Sequence, residues 1–505
     1  MAKATTDTSS LTLPLKLEKW QADRLEKRLE IARQIYNTLL HFELKKLHRL
    51  EEAEEYKVIQ NKLKDATDKT ERNKLYKDLD KLRREAGFSE YTFKTDIKNF
   101  YKHFGENIGS AVAVHGIATQ VWSAFDRLFY GNGKAVHFKK RGELNSIRGY
   151  SVAGKSGGVE IMFRDTYIEW KGLKLPVNRD PDNLYENEML QNRVKYCRIV
   201  RKPGRAKSRW YVQLMLEGKP VLKYDESTGE VRHPSGNGAV GIDIGPQTIA
   251  YVSDNEVELK ELADQVNNIE REKRILQRKL DRSRRATNPE NYAPDGTIKR
   301  GVKLTRNKSK RYLKTQKELA CLQRKQADTR KRQHNELANH LLSLGDRFFV
   351  EDMEWPALTH RAKKTEISEK TGRYKRKKRF GKSVGNKAPA ALISVLDLKL
   401  KSRGMDGVIR VPTSIKASQY NHITDEYHKK ELSERWNQMP DGRRIQRDLY
   451  SAFLLQHMNA ENNGFDKEAL KQDYENFILL HDEVVEKLRK TEKTLASMGI
   501  VRRVS

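Results

Sequence analysis

The stretch AVGIDIGPQTIAYVSD, residues 239–254, sets one carboxylate, Asp243, between Gly241 and Gly245 in an otherwise apolar run. Alternation along a strand sends Val240, Ile242 and Ile244 to one face and Gly241, Asp243 and Gly245 to the other. A buried carboxylate without a partner is costly, so something must justify Asp243. The flanking glycines strip its face of side chains and leave room for close approach. A tight hairpin with a hydrogen-bonded Asp is the alternative.

Outward from this stretch the elements alternate. The 239–254 segment reads as a strand hairpin, followed by a long basic helical segment interrupted by NPENYAPDG (288–296). Next come a strand RFFVEDM (347–353), a basic loop, a helix over about 389–403, a strand GVIRVPTS (407–414) and a helix from about 446. Strands alternating with helices predict a layered α/β domain. Two more carboxylates sit at element ends. Glu351 closes an apolar strand after Phe348, Phe349 and Val350, and Asp448 lies in the first turn of the helix in RRIQRDLYSAFLLQHM (443–458). Singly, these read as a solvated strand end and a residue complementing a helix dipole. Together with Asp243 they have the composition of a site holding two hard cations against a phosphodiester.

The chain has 505 residues, 100 Lys and Arg against 69 Asp and Glu, and a net charge of +31. Such an excess points to a polyanionic partner, DNA or RNA. It is concentrated. Residues 271–340 hold 22 basic against 7 acidic residues, and residues 361–387, including GRYKRKKRF, hold 12 against 2. Two cysteines, Cys197 and Cys321, make no disulfide framework and fit a reducing interior. No apolar run has the length of a signal peptide or a membrane span, so a soluble cytosolic or nucleoid protein is expected.

Ahead of residue 238 the pattern differs. LTLPLKLEKW (11–20) alternates like a short strand and leads into a helical stripe of Leu25, Leu29, Ala32, Ile35 and Leu39. Charged helix continues to about Gly87 and a less polar one covers 90–130. A break follows at YGNGKAVHFKKRGELNSIRGYS (130–151). From about 147 to 218 the period is two: Val159, Ile161 and Phe163, then Trp210, Val212, Leu214 and Leu216 after the turn KPGRAKS. This predicts a small barrel or sandwich, with the helical block inserted after its first strand. YDESTGEVRHPSGNG (224–238) reads as a linker.

GIDIGPQTIAYVSD, FFVEDMEW and QRDLYSAFLL, in this order and spacing, resemble the three RuvC-type motifs of TnpB, the transposon-encoded RNA-guided DNA endonucleases, which are similar to compact type V CRISPR effectors. VWSAFDRLFYGNGKAVHFKKRGE (121–143) resembles the end of that family's helical recognition block, and RWYVQLMLEG (209–218) a late strand of its wedge domain. The resemblance implies an α/β multidomain chain, with an RNase H-like (RuvC) nuclease domain preceded by a β-barrel wedge domain carrying an inserted helical recognition domain. The expected divisions are a first wedge strand at 1–17, recognition helices at 18–132, wedge at 133–237, nuclease domain at 238–460 with a basic hairpin at 257–343, and a C-terminal helix at 461–505. Asp243, Glu351 and Asp448 take the metal-ligand positions, for two Mg2+ ions that Mn2+ can replace. Implied partners are a guide RNA and target double-stranded DNA with its displaced strand, bound by a monomer or homodimer and without a membrane.

Phosphate contacts are expected from Lys139, Lys140 and Arg141 and from Arg376, Lys377, Lys378 and Arg379. Tyr130 and Phe138 are candidates for base stacking, whereas Trp122 at helical spacing reads as core. Two departures stand out. The family's four-cysteine zinc knuckle is matched by TSIKASQYNH and QMPDG, within 415–445, with Ala417, Tyr420, Gln438 and Asp441 near the cysteine positions. Even with His422 and His428 nearby, no zinc is expected and the segment must hold by packing. Tyr450 also stands where Asn is common. Alternatives left open are an RNA-guided binding protein or repressor without effective cleavage, and an unguided RuvC-fold nuclease. A sugar kinase, which shares GxDxG, lacks here the second glycine-rich phosphate loop it needs.

Overall fold

The structure is a computed structural model that describes residues 6–100, 108, 111–131, 133–149, 161–204, 207–225, 227–360, 365–368, 372–374, 380–431, 434–491 and 494–501. Val159 and the run Arg376, Lys377, Lys378 and Arg379 lie outside the described residues. The chain forms two compact units, Met1–Val221 and Leu222–Ser505.

In the first unit, β1 (Thr8–Pro14), β2 (Ser146–Gly149), β6 (Val194–Lys202) and β7 (Arg209–Glu217) form an antiparallel sheet in the order β1-β7-β6-β2. Period two holds in β7, where Trp210, Val212, Leu214 and Leu216 are buried. Three short strands, β3 (Met162–Phe163), β4 (Tyr167–Trp170) and β5 (Leu173–Pro176), make a separate sheet, and the bridge Leu15–Val177 joins the end of β1 to the end of β5. Among the described residues the expected barrel is thus two sheets rather than one closed ladder, because β3–β5 pair only with one another. The helices are α1 (Lys19–Glu52), α2 (Glu54–Asp65), α3 (Lys69–Glu85), α4 (Glu90–Asp96) and α5 (Ala111–Phe129), with α6 (Leu184–Gln191) between β5 and β6.

Helix α1 buries the stripe Leu25, Leu29, Ala32, Ile35 and Leu39 that its 3.6-residue period predicts. These side chains share one core with Leu11, Trp170 and Val212, so the helical block and the strands pack as one body. Gln21 Nε2 donates to Lys174 O at 2.7 Å and Arg28 Nη1 to Trp170 O at 2.8 Å across that seam.

The second unit is built on one mixed sheet of five strands. β8 (Ala239–Ile244), β9 (Thr248–Val252) and β10 (Val257–Glu261) form an antiparallel meander; β11 (Arg347–Glu351) adds parallel to β8 and β12 (Val408–Val411) parallel to β11. The order is β10-β9-β8-β11-β12. On one face lie α8 (Lys310–Leu344) and α11 (Pro389–Ser402), whose Ala338, Leu341, Leu342, Leu392 and Leu396 pack on Val240, Ile242 and Ile244. The other face is covered by α12 (Arg447–Gln456) and α13 (Lys467–Lys490), whose Leu449, Phe453, Phe477 and Val484 share a core with Ala250, Val252 and Phe349. Parallel strands buried on both faces need such cover.

Two expectations need correcting. The basic hairpin begins at α7 (Glu270–Thr287), not at 257, because Val257 and Leu259 alternate inward as strand β10. The stretch before β8 belongs to the second unit rather than between units: Gly236 N–H donates to Leu342 O at 2.7 Å and Arg403 Nη2 to His233 O at 3.1 Å. The C-terminal helix, of which the sequence said little, belongs to this unit's core: α13 buries Leu470, Tyr474, Phe477 and Val484 there. Among the described residues, no helix is long and apolar enough to cross a membrane. Cys197 and Cys321 are free thiols, both buried.

Candidate active site

Register brings the first two acids together. In the parallel pair β8/β11, Phe349 stands opposite Gly241 and Val350 opposite Ile242. Asp243 and Glu351 are the next residues of the two strands, with backbones about 4.8 Å apart and side chains on one face. They arrive there from segments more than a hundred residues apart because both strands end at the same edge of the sheet.

The third acid is delivered by α12, and Gly241 is the reason it can be. A Cβ on Gly241 would lie 1.9 Å from Ala452 O and 2.3 Å from Gln456 N, so the helix backbone rests directly on the glycine. Two residues along the strand, about 6.6 Å, match one helical turn back, about 6 Å, from Ala452 to Asp448. The same step places Ser451, three residues after Asp448, over Asp243, whose carboxylate it hydrogen-bonds. The glycine therefore admits a helix, where the sequence suggested room for metal and substrate. Gly245 has a local role: its Cβ would meet Thr248 Oγ1 at 3.1 Å in the β8–β9 turn.

Helix α12 is buried on every side from Leu449 to Gln456. Its ends are pinned. Gln446 caps the N-terminus by accepting from Leu449 N–H at 2.8 Å, and its own N–H donates to His481 Nε2 at 3.0 Å. At the far end Gln456 Nε2 donates to Asp254 Oδ1 at 2.6 Å. The helix is thus pinned at its start to α13 and at its end to the β9–β10 turn.

The electrostatics report the convergence. Burial, followed by the charges of Asp448 and then Glu351, pushes the Asp243 carboxyl well above the ordinary carboxylate range; Arg447 and the Ser451 hydroxyl oppose the rise. Burial likewise raises Glu351. Two neighbouring carboxylates that drive up the proton affinity of a third make a site short of positive charge. Three hard oxygen donors in that state suit a divalent cation such as Mg2+ by chemistry. They are not gathered as a coordination shell: among the described residues, no group of three or more His, Cys, Asp or Glu stands ready to hold a metal. A guanidinium occupies part of the space. Arg447 Nε and Nη2 each lie 3.3 Å from Asp448 Oδ1, with both side chains largely buried.

Sequence reasoning missed Arg447 and Ser451. The second was findable, since i+3 spacing from Asp448 puts it on the same helix face. A cavity of about 600 Å³ elsewhere in this unit, lined by Lys260, Glu336 and His340 among others, includes none of the three acids.

The segment matching the zinc knuckle is held by packing. Ala417 and Tyr420 are buried, and Tyr420 stacks on Phe465 with centroids 4.7 Å apart. Its hydroxyl bonds Asp425 at 2.8 Å, Gln438 is turned to Gly442 O, and Asp441 accepts from the Tyr474 hydroxyl. This donor set does not fit zinc. Tyr450 anchors the segment. Its hydroxyl accepts from His422 N–H at 3.1 Å and meets His422 Nδ1 at 2.7 Å, tying the segment to α12.

In the first unit, Lys139 is committed to structure. Its ammonium lies 4.4 Å from the Tyr36 ring centroid, its backbone bonds Arg33 and Asn37, and burial lowers its pKa. Lys140 and Arg141 are exposed. Trp122 packs edge-on against Phe93 at 5.5 Å, while Tyr130 and Phe138 are exposed.

No protein-family model matches the sequence. Among curated proteins the chain is 27% identical over 204 residues to the ribosome protection protein VmlR of Bacillus subtilis (strain 168), a match spanning 36% of this chain and 37% of that protein. The chain thus spans little more than a third of the relative's length. Among solved structures it is similar to a chain of a Cas12f1-sgRNA-target DNA complex, at 12% identity and a TM-score of 0.37, covering 90% of this chain and 99% of that one. A CRISPR-Cas12f ternary complex aligns at 13% identity and a TM-score of 0.24, covering 88% and 82%. At those scores the likeness is coarse, and the site rests on its own geometry.

Proposed function

We propose that the protein is an RNA-guided DNA endonuclease whose cutting site is Asp243, Glu351 and Asp448. The observation that supports this reading is that two parallel strand ends and one helix start turn three acids toward one edge of the mixed sheet. Burial first, and then the charges of Asp448 and Glu351, raise Asp243, and a bound cation would relieve both. Divalent cations such as Mg2+, when bound, would supply activation of water and stabilisation of the departing 3′-oxygen. Asp243 and Glu351 would hold them from the rigid sheet edge, and Asp448 from the pinned first turn of α12. Ser451 keeps the Asp243 carboxylate oriented. Basic helices α7 and α8 suit a polynucleotide backbone, with no sequence reading of their own. Sequence would be read by a guide RNA pairing with its target.

A role limited to ribosome or RNA binding, which the VmlR likeness would suggest, gives no reason for three carboxylates at one sheet edge. The test uses the full chain purified with its native RNA. Asp243→Ala is expected to keep RNA and target binding and lose magnesium-dependent cleavage. Cleavage retained by that variant removes Asp243 from the site. A discrete co-purifying RNA with one variable end supports guidance; random fragments would leave an unguided nuclease.

A further inference from the structure

We infer that Arg447 is the resident counter-cation of the metal-free site: it pairs with Asp448 where a divalent ion would sit, and must release that carboxylate for the ion to bind. The inference rests on the reading of the three acids as metal ligands. Arg447 directs Nε and Nη2 at the same oxygen, Asp448 Oδ1, at 3.3 Å each. Strong charge-assisted pairs lie at about 2.7–2.9 Å, so this fork is loose, a placeholder and not a lock. The third nitrogen, Nη1, donates to Glu434 O at 3.1 Å, and the Arg447 N–H donates to Arg435 O at 2.9 Å. The guanidinium is thus strung between the acid cluster and the segment just ahead of β15 (Trp436–Gln438).

A further fact agrees. The pair is largely enclosed, with 13% of the Arg447 side chain and 15% of Asp448 exposed, so its charge is felt strongly by the cluster. Arg447 is therefore a positioning residue. It relieves acid–acid repulsion while the metal is absent, and its displacement ties metal entry to the backbone at Glu434.

The experiment titrates Mn2+ into the nucleic-acid-free full chain and reads free Mn2+ by electron paramagnetic resonance, with a thermal melt on each variant. Removing one unit charge from a partly enclosed cluster in Arg447→Gln should tighten Mn2+ binding on the order of tenfold. Arg447→Lys, which keeps a charge but cannot fork, tests the same point with less risk to folding and should tighten it by a smaller factor. A merely structural role would weaken binding instead. Affinity equal to or below wild type in the folded variants overturns the inference. Asp243→Ala separates the two levels. If it lowers Mn2+ binding while the Arg447 variants match wild type, the acid site stands and the role of Arg447 falls. If it binds Mn2+ as wild type does, both fall.

Discussion

The glycine beneath α12 offers the sharpest quantitative test. In Gly241→Ala the new methyl would stand 1.9 Å from Ala452 O and 2.3 Å from Gln456 N, both backbone atoms of a helix pinned at each end. Relief to an ordinary contact of 3.4 Å requires the helix to retreat by about 1.5 Å. Overpacking of that kind costs about 1–3 kcal/mol. The functional cost is larger, because the element that retreats carries Asp448 and Ser451 away from Asp243. Misplacing a reacting group by about 1 Å can cost on the order of 100-fold in rate. Gly245→Ala is the matched control, since its methyl meets the movable Thr248 hydroxyl at 3.1 Å and Thr248 O at an ordinary 3.6 Å. Denaturant unfolding, Mn2+ affinity and cleavage rate should all fall in Gly241→Ala and stay near wild type in Gly245→Ala. A Gly241→Ala protein with wild-type stability and Mn2+ affinity would refute the claim that this contact sets the third acid.

Tyr450→Phe removes the hydroxyl that serves His422 N–H and Nδ1, leaving buried groups unsatisfied at a cost of about 1–3 kcal/mol. Unfolding should shift while Mn2+ affinity holds; unchanged stability contradicts the view that this pair anchors the segment to α12. The two units should respond to pH with opposite signs. Burial lowers His422 from 6.5 to about 4, so its contribution is complete above pH 6.5 and lost as pH falls toward 4, up to about 3 kcal/mol. Glu43, fully buried with the Lys46 ammonium 2.9 Å away, is raised by burial from 4.5 to about 7. Its contribution is complete below pH 4.5 and lost as pH rises through 7, about 3 kcal/mol at most. Glu43→Gln should flatten the stability–pH curve between pH 5 and 8 (roughly the window of that shift), and a curve as steep as wild type's would count against a protonated Glu43.

Much of the fold was legible in periodicity. The stripe Leu25–Leu39 and the alternation Trp210–Leu216 are each the footprint of one buried face, and burial follows the printed period. Boundaries were less so. Val257–Glu261 was absorbed into the helical hairpin because five residues are too few for period two to stand out beside a long basic run. The C-terminal helix gave little away, since its charge masks the stripe Leu470, Tyr474, Phe477 and Val484 until a partner surface is present.

The sequence alone singled out the candidate residues: acids at the ends of apolar segments, basic charge gathered in two runs, and knuckle positions without cysteines. Tertiary structure decided why the glycine is there, which residue caps the third acid and what holds the knuckle segment together. The reason is physical. A strand's pattern reports the face it buries, whereas the 1.9 Å approach of Ala452 O to Gly241 and the fork of Arg447 on Asp448 depend on how a helix two hundred residues away lands on that face.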